Sequence, residues 1–164
     1  MNNFSVKKQT FDWKTFLICI AVPLLVGLIA SLISGNSMEQ FQALTKPPLA
    51  PPAWLFPVAW TILYILMGIA SFLIVTSGCS SEEKQDAISI YAVQLLFNFL
   101  WTIIFFNFGL YLPAFVWLVI LWIFIVITMM KFYKCSALSA YLLFPYLIWV
   151  SFAGYLNLAI ALLN

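Results

Sequence analysis

Histidine is absent from this 164-residue sequence, and its five carboxylates, Asp12, Glu39, Glu82, Glu83 and Asp86, all lie outside its long apolar runs. Without an imidazole, neither a histidine-based triad nor a His-ligated haem is expected. The three cysteines, Cys19, Cys79 and Cys135, have no C-x-x-C spacing, so a zinc site is not expected either. A carboxylate proton relay inside the apolar runs has no parts. No metal site is therefore predicted, and no cofactor is required.

What remains for chemistry is aromatic and amide. Trp60, Tyr64, Met67 and Ser71 recur at helical spacing and share one face. Tyr91, Gln94, Asn98, Trp101 and Phe105 form a second stripe at steps of three and four. Unpaired amides are costly in hydrocarbon, so this stripe must face protein, through interhelical hydrogen bonds or through a cavity. A third face carries Tyr141, Pro145, Trp149, Phe152 and Leu156, with Ala153 and Asn157 beside it. Such stripes line concave apolar pockets for flat or hydrophobic ligands, or they are ordinary packing.

The elements that must position these residues are membrane spans. The chain is 65% hydrophobic and 7% charged, where a soluble domain is roughly a quarter charged. The charge-free run from Ala87 to Met130 would be about 66 Å long as one helix, against a hydrocarbon core of roughly 30 Å. It must cross twice, and NFGLYLP, Asn107 to Pro113, is the place to turn. The prediction is an all-α integral membrane bundle of five transmembrane helices at about 15–35, 55–77, 87–107, 112–131 and 137–162, with a lid at about 36–54, one domain over residues 1–164. The first run is too long for a signal-peptide core and lacks an A-x-A-like site, so it reads as a retained span.

Local details follow. Gly27 with Ser31, and Ala30 with Ser34, are small residues four apart, which suits close packing within the bundle or a dimer face. Trp117 and Trp122 read as interfacial or lipid-facing. Pro145 should bend or loosen the fifth span and free a carbonyl near Tyr141. KPPLAPPAWLFPVAW, Lys46 to Trp60, holds five of the eight prolines. Pro47, Pro48, Pro51 and Pro52 restrict it to an extended cover over the bundle.

There is no arginine, and a cytoplasmic N-terminus puts Lys7, Lys8, Lys14, Lys84, Lys131 and Lys134 on one side and Lys46 on the other. The positive-inside rule then predicts N-terminus in, C-terminus out. A net charge of +2 with dispersed lysines gives no reason to expect nucleic acid.

Three segments, KPPLAPPAWLFPVAWTILYILMG (Lys46–Gly68), YAVQLLFNFLWTIIFFN (Tyr91–Asn107) and LLFPYLIWVSFAGYLN (Leu142–Asn157), occur in order and together resemble the TspO/MBR family of tryptophan-rich sensory and translocator proteins. The resemblance covers about residues 15–160. It implies a five-helix bundle, commonly dimeric, that binds tetrapyrroles such as protoporphyrin IX beneath the connection between the first two spans, and in animal members sterols and benzodiazepine-type drugs. Carried over by position, the pocket tryptophans match Trp60 and Trp149, the third-span pocket positions match Asn98 and Trp101, and Tyr64, Pro47 and Pro51 match others around the cavity. Phe105, Phe152 and Ala153, from the stripes above, complete the candidate ligand-binding set. Three positions depart from the family pattern: Leu49 stands where a tryptophan is common, Trp117 where many members carry an acid, and no basic residue follows Tyr155, so cholesterol specificity gets no support.

With no histidine to ligate iron, stacking on Trp60, Trp101 and Trp149 suits metal-free porphyrin better than haem. The expected function is a membrane sensor, regulator or carrier of tetrapyrroles. Light- and oxygen-dependent porphyrin breakdown at Trp60 and Trp149 is the enzymatic alternative. A coupled transporter is disfavoured by five spans, no internal repeat and no intramembrane charge, although facilitated passage stays open. Lysine without arginine or histidine points to a bacterial cell membrane.

Overall fold

The structure is a computed structural model describing residues 11–164, so the Lys7 and Lys8 part of the charge argument lies outside the described residues. Among the described residues, five helical stretches are long and apolar enough to cross a membrane, and the chain is an all-α integral membrane protein. The first span is α1 (Trp13–Ser34), the second α3 (Leu55–Val75) and the fourth α5 (Tyr111–Cys135). The third is α4 (Ser81–Thr102), continued by a π-helical turn over Ile103–Asn107. The fifth is two pieces, α6 (Ala137–Leu142) and α7 (Phe144–Leu163), and a short α2 (Ser37–Ala43) lies between the first two spans.

Helix ends are set by local chemistry. Asp12 caps α1 by accepting the Thr15 amide at 3.1 Å and the Thr15 hydroxyl at 2.6 Å, and these bonds hold its carboxyl below its ordinary pKa. Ser80 and Glu83 form a capping box at the start of α4. Gly35, at φ +51°, ends α1 in a conformation that favours glycine.

The helices close into a ring: α1 packs on α3 and α4, α4 on α5, α5 on both pieces of the fifth span, and α6 returns to α3. Small residues allow the tightest approach. A Cβ on Gly68 would lie 2.7 Å from the Ile20 Cα of α1, and one on Gly27 would strike the Tyr64 ring. Of the two readings of the small-residue pattern, the structure thus uses Gly27 for packing inside the bundle.

Pro145 does more than bend its span. It sits in the first turn of α7, where its missing N–H costs nothing, and the helix is interrupted at the single residue Leu143, whose backbone stays near the helical region (φ −86°, ψ −9°). Freed of one straight axis, α6 packs against α3, with the Ser139 hydroxyl donating to the Ala70 carbonyl at 3.1 Å, while α7 scarcely meets α3. Above α6 the two spans part.

Two other expectations are corrected. Trp117 is no lipid-facing residue, for its indole stacks on Phe97 (centroids 4.5 Å apart, 17° between planes) and donates to the Phe97 carbonyl at 2.9 Å. Trp122 does stand exposed, tied to Ser151. The proline-rich cover is only partly extended. Besides α2 it contains a tight turn, closed by the Ala50 amide on the Pro47 carbonyl at 3.3 Å, with Leu49 at φ +71° and 82% exposed. Leucine there bears the strain of a left-handed conformation and reaches away from the bundle.

Cys79, after α3, and Cys135, at the end of α5, are joined in a disulfide across a separation of 56 residues, and Cys19 is free. Closing a loop of that length is worth up to about 4 kcal/mol for a free chain, and less where spans stay threaded through lipid in the unfolded state. In SDS, a maleimide should therefore modify one cysteine per chain before reduction and three after, and the reduced protein should melt at a lower temperature. Three reactive thiols without reductant would count against the bridge.

Candidate functional site

Where α7 leaves α3, a cavity of about 650 Å³ opens under the connection between the first two spans. Its wall on α3 is Phe56, Trp60, Thr61 and Tyr64; α4 and its π turn contribute Trp101, Phe105 and Phe106; α7 contributes Ala153, Leu156 and Asn157; and α1 contributes Gly27 and Ser31. Phe41 and Ala53 of the connection roof it. Trp60 stacks on Tyr64 with centroids 5.6 Å apart and lies 6.3 Å from Trp101. Phe105 continues the row 5.6 Å from Trp101. Offset rings at these separations are mutually attractive and leave broad faces for a flat ligand.

The row is anchored from behind. Tyr64 donates to Asn98 Oδ1 at 2.7 Å, and Asn98 Nδ2 donates to the Tyr146 hydroxyl at 3.1 Å, so one amide joins α3, α4 and α7. Trp101 donates its indole N–H to Asn157 Oδ1 at 3.0 Å, and Asn157 Nδ2 donates to the Tyr111 carbonyl at 2.7 Å. Tyr64 and Trp101 are thereby each held in one orientation. One turn further down α4, Gln94 is 1% exposed and neither end of its amide has a hydrogen-bond partner; the Tyr91 hydroxyl is likewise buried and unpartnered.

The α4 stripe is thus divided at Asn98. Trp101 and Phe105 line the cavity, whereas Tyr91, Gln94 and Asn98 are buried in the packed half below it. The π turn brings both Phe105 and Phe106 to the cavity, since a π turn re-aims successive side chains.

Of the predicted set, Trp60, Tyr64, Trp101, Phe105 and Ala153 line the cavity; Pro47, Pro51, Asn98, Trp149 and Phe152 do not. Asn98 acts at one remove, through Tyr64. Trp149 stands behind Phe56, with centroids 5.9 Å apart, and Phe152 turns toward Tyr155. The face predicted for the fifth span is rotated from the observed one, in which Tyr146, Val150, Ala153, Gly154, Leu156, Asn157 and Ile160 turn inward; of the predicted face only Leu156 lies on it. Close packing on α5 selects small residues there, and a Cβ on Gly154 would already lie 3.4 Å from Leu118. Pro47 and Pro51 belong to the cover, which α7 holds down: Tyr155 donates to the Pro48 carbonyl at 2.8 Å, and Asn164 exchanges two bonds with Thr45.

Phe56 was readable as one more turn of the Trp60–Tyr64 face. Asn157 flanked the predicted α7 face without being chosen. Phe41 and Phe106 had no periodic signal, one lying in the connection and the other displaced by the π turn.

Residues 19–163 match the model of the TspO/MBR family. The chain is 41% identical to the tryptophan-rich protein TspO of Chlorobaculum tepidum over 92% of its own length and 96% of the relative's. It is 35% identical to the tryptophan-rich sensory protein of Cereibacter sphaeroides, over 95% of each chain. Against the translocator protein of Sus scrofa the figures are 36% identity over 83% of this chain and 82% of the other.

The amide network separates two substitutions on one helix face. Asn98→Leu leaves the Tyr64 and Tyr146 hydroxyls without their shared partner and should cost about 1–3 kcal/mol, whereas Gln94→Leu removes an amide that bonds to nothing and should match or exceed the wild-type melting temperature. Thermal denaturation in detergent compares them, and equal losses would contradict the assignment.

Proposed function

The chain belongs to the TspO/MBR family, and on that premise we propose that its cavity receives a tetrapyrrole such as protoporphyrin IX, with the protein acting in the membrane as a sensor or carrier of that ligand. The observation that carries this reading is the aromatic wall formed by Trp60, Tyr64, Trp101 and Phe105 in a cavity of about 650 Å³. That volume falls in the range of roughly 300–1,000 Å³ typical of small-molecule sites. A flat macrocycle gains area burial against these rings and about 0.5–1.5 kcal/mol more for each good stack. Other hydrophobic, drug-like molecules of similar breadth suit the same walls.

In this reading the end of the bundle that carries Lys14, Lys84, Lys131 and Lys134 faces the cytoplasm and the cover faces outward, as the lysine bias favours. The membrane is a bacterial cell membrane, as lysine without arginine or histidine suggests, and the protein a homodimer, as the resemblance implies. Between binding and light-driven breakdown, the placement of the indoles favours binding. Trp60 is on the cavity wall, but Trp149, the other residue that breakdown would call on, is screened by Phe56.

Titration of the purified protein with protoporphyrin IX in the dark, followed by the porphyrin's own absorbance, tests the assignment. Saturable binding is expected, weakened about tenfold (~1.4 kcal/mol) by Trp60→Leu and less than about twofold by Trp149→Leu. Uptake that never saturates, as in simple partition into detergent, would remove the site. Undiminished affinity in Trp60→Leu would do the same.

A further inference from the structure

The cover gives the cavity one carboxylate and no cation. Glu39, in the first turn of α2, stands on the rim with Gly35, Asn36 and Ser37, above the aromatic wall. Among the described residues, the charged side chains at this end of the bundle are Glu39 and Lys46, because the others lie at or near the opposite helix ends. Lys46 does not answer Glu39. Its ammonium sits over the Phe41 ring, 5.6 Å from the centroid, and donates to the Gln42 carbonyl at 3.0 Å, outside the cavity lining. The ion pair formed among the described residues, Lys131 with Asp86, is at the far end.

This distribution constrains how a ligand with acidic groups can sit. An ionised carboxylate cannot be buried among Trp60, Trp101, Phe105 and Phe106 without a cation to pair with, and the lining provides none. Such a ligand must keep its acidic edge at the rim, in water, and that places it in the field of Glu39. A neutral edge meets no such opposition, and a cationic edge is drawn to the same rim.

We propose that Glu39 is a charge filter at the cavity mouth, disfavouring tetrapyrroles with ionised carboxylates relative to neutral or cation-bearing ligands of the same breadth. The inference rests on the tetrapyrrole reading of the cavity and assigns the residue that tunes it. The filter acts through solvent, so its strength depends on ionic strength.

The test compares protoporphyrin IX, whose propionates are ionised at neutral pH, with its uncharged dimethyl ester, in an uncharged detergent. Glu39→Gln should tighten the acid form about three- to tenfold at low salt and leave the ester unchanged. The gain should shrink toward nothing at about 0.5 M salt, where the screening length is only a few ångströms. Glu82→Gln makes the same change of net charge at the other end of the bundle and should alter neither ligand. Should Glu39→Gln shift both ligands equally, or neither, the filter is refuted while the site survives. Failure of both forms to bind the wild-type chain would overturn the tetrapyrrole reading and the filter with it.

Discussion

Asn98 accepts a hydrogen bond from Tyr64 and donates one to Tyr146, and this one buried amide ties three spans together at the level where the bundle stops being solid. In hydrocarbon a backbone can satisfy itself as a helix, but a side-chain amide cannot. Asn98, unlike Gln94, is matched by protein, and matching it fixes the rotation of α3, α4 and α7 about their axes. The consequence is that Tyr64 presents its ring to the cavity and its hydroxyl to the core. Trp101 obeys the same logic through Asn157, which in turn reaches the start of α5.

Below that level the bundle is packed, and above it the spans diverge. Division of the fifth span into α6 and α7 makes both possible, since α6 lies against α3 and α7 departs from it. The space so created is roofed by a connection anchored at several points, through Phe41 on Phe56, Tyr155 on the Pro48 carbonyl, and Thr45 on Asn164. The cover is thus tied down by α7 as well as restricted by its prolines. The strained and exposed turn at Leu49 leaves its outer surface unlike its aromatic underside.

Span existence was legible because hydropathy over twenty residues needs no partner to be read. The turn at Gly109, φ +62°, falls within the Asn107–Pro113 stretch that composition marks. The Trp60–Tyr64 face was legible because both residues share a regular helix. Where regularity fails, so does the reading, for the π turn shifts Phe106 inward; on α7, Trp149 and Phe152 fall beside the cavity while Leu156 of the same predicted face lines it. Trp117 misled for a different reason. An indole on a featureless apolar helix looks like an interfacial anchor until a carbonyl on the neighbouring span is seen to accept its N–H.

By itself the sequence determined the number of spans, the chemistry denied to a chain without histidine or intramembrane acids, and the aromatic character of the residues available to a ligand. These depend on composition and on periodicity within one helix. Tertiary structure alone decided which members of each stripe face the cavity, that Cys79 pairs with Cys135, and that Glu39 rather than Lys46 borders the opening. Each of those depends on how one helix is rotated and placed against another, and that is set by contacts between residues far apart in the chain.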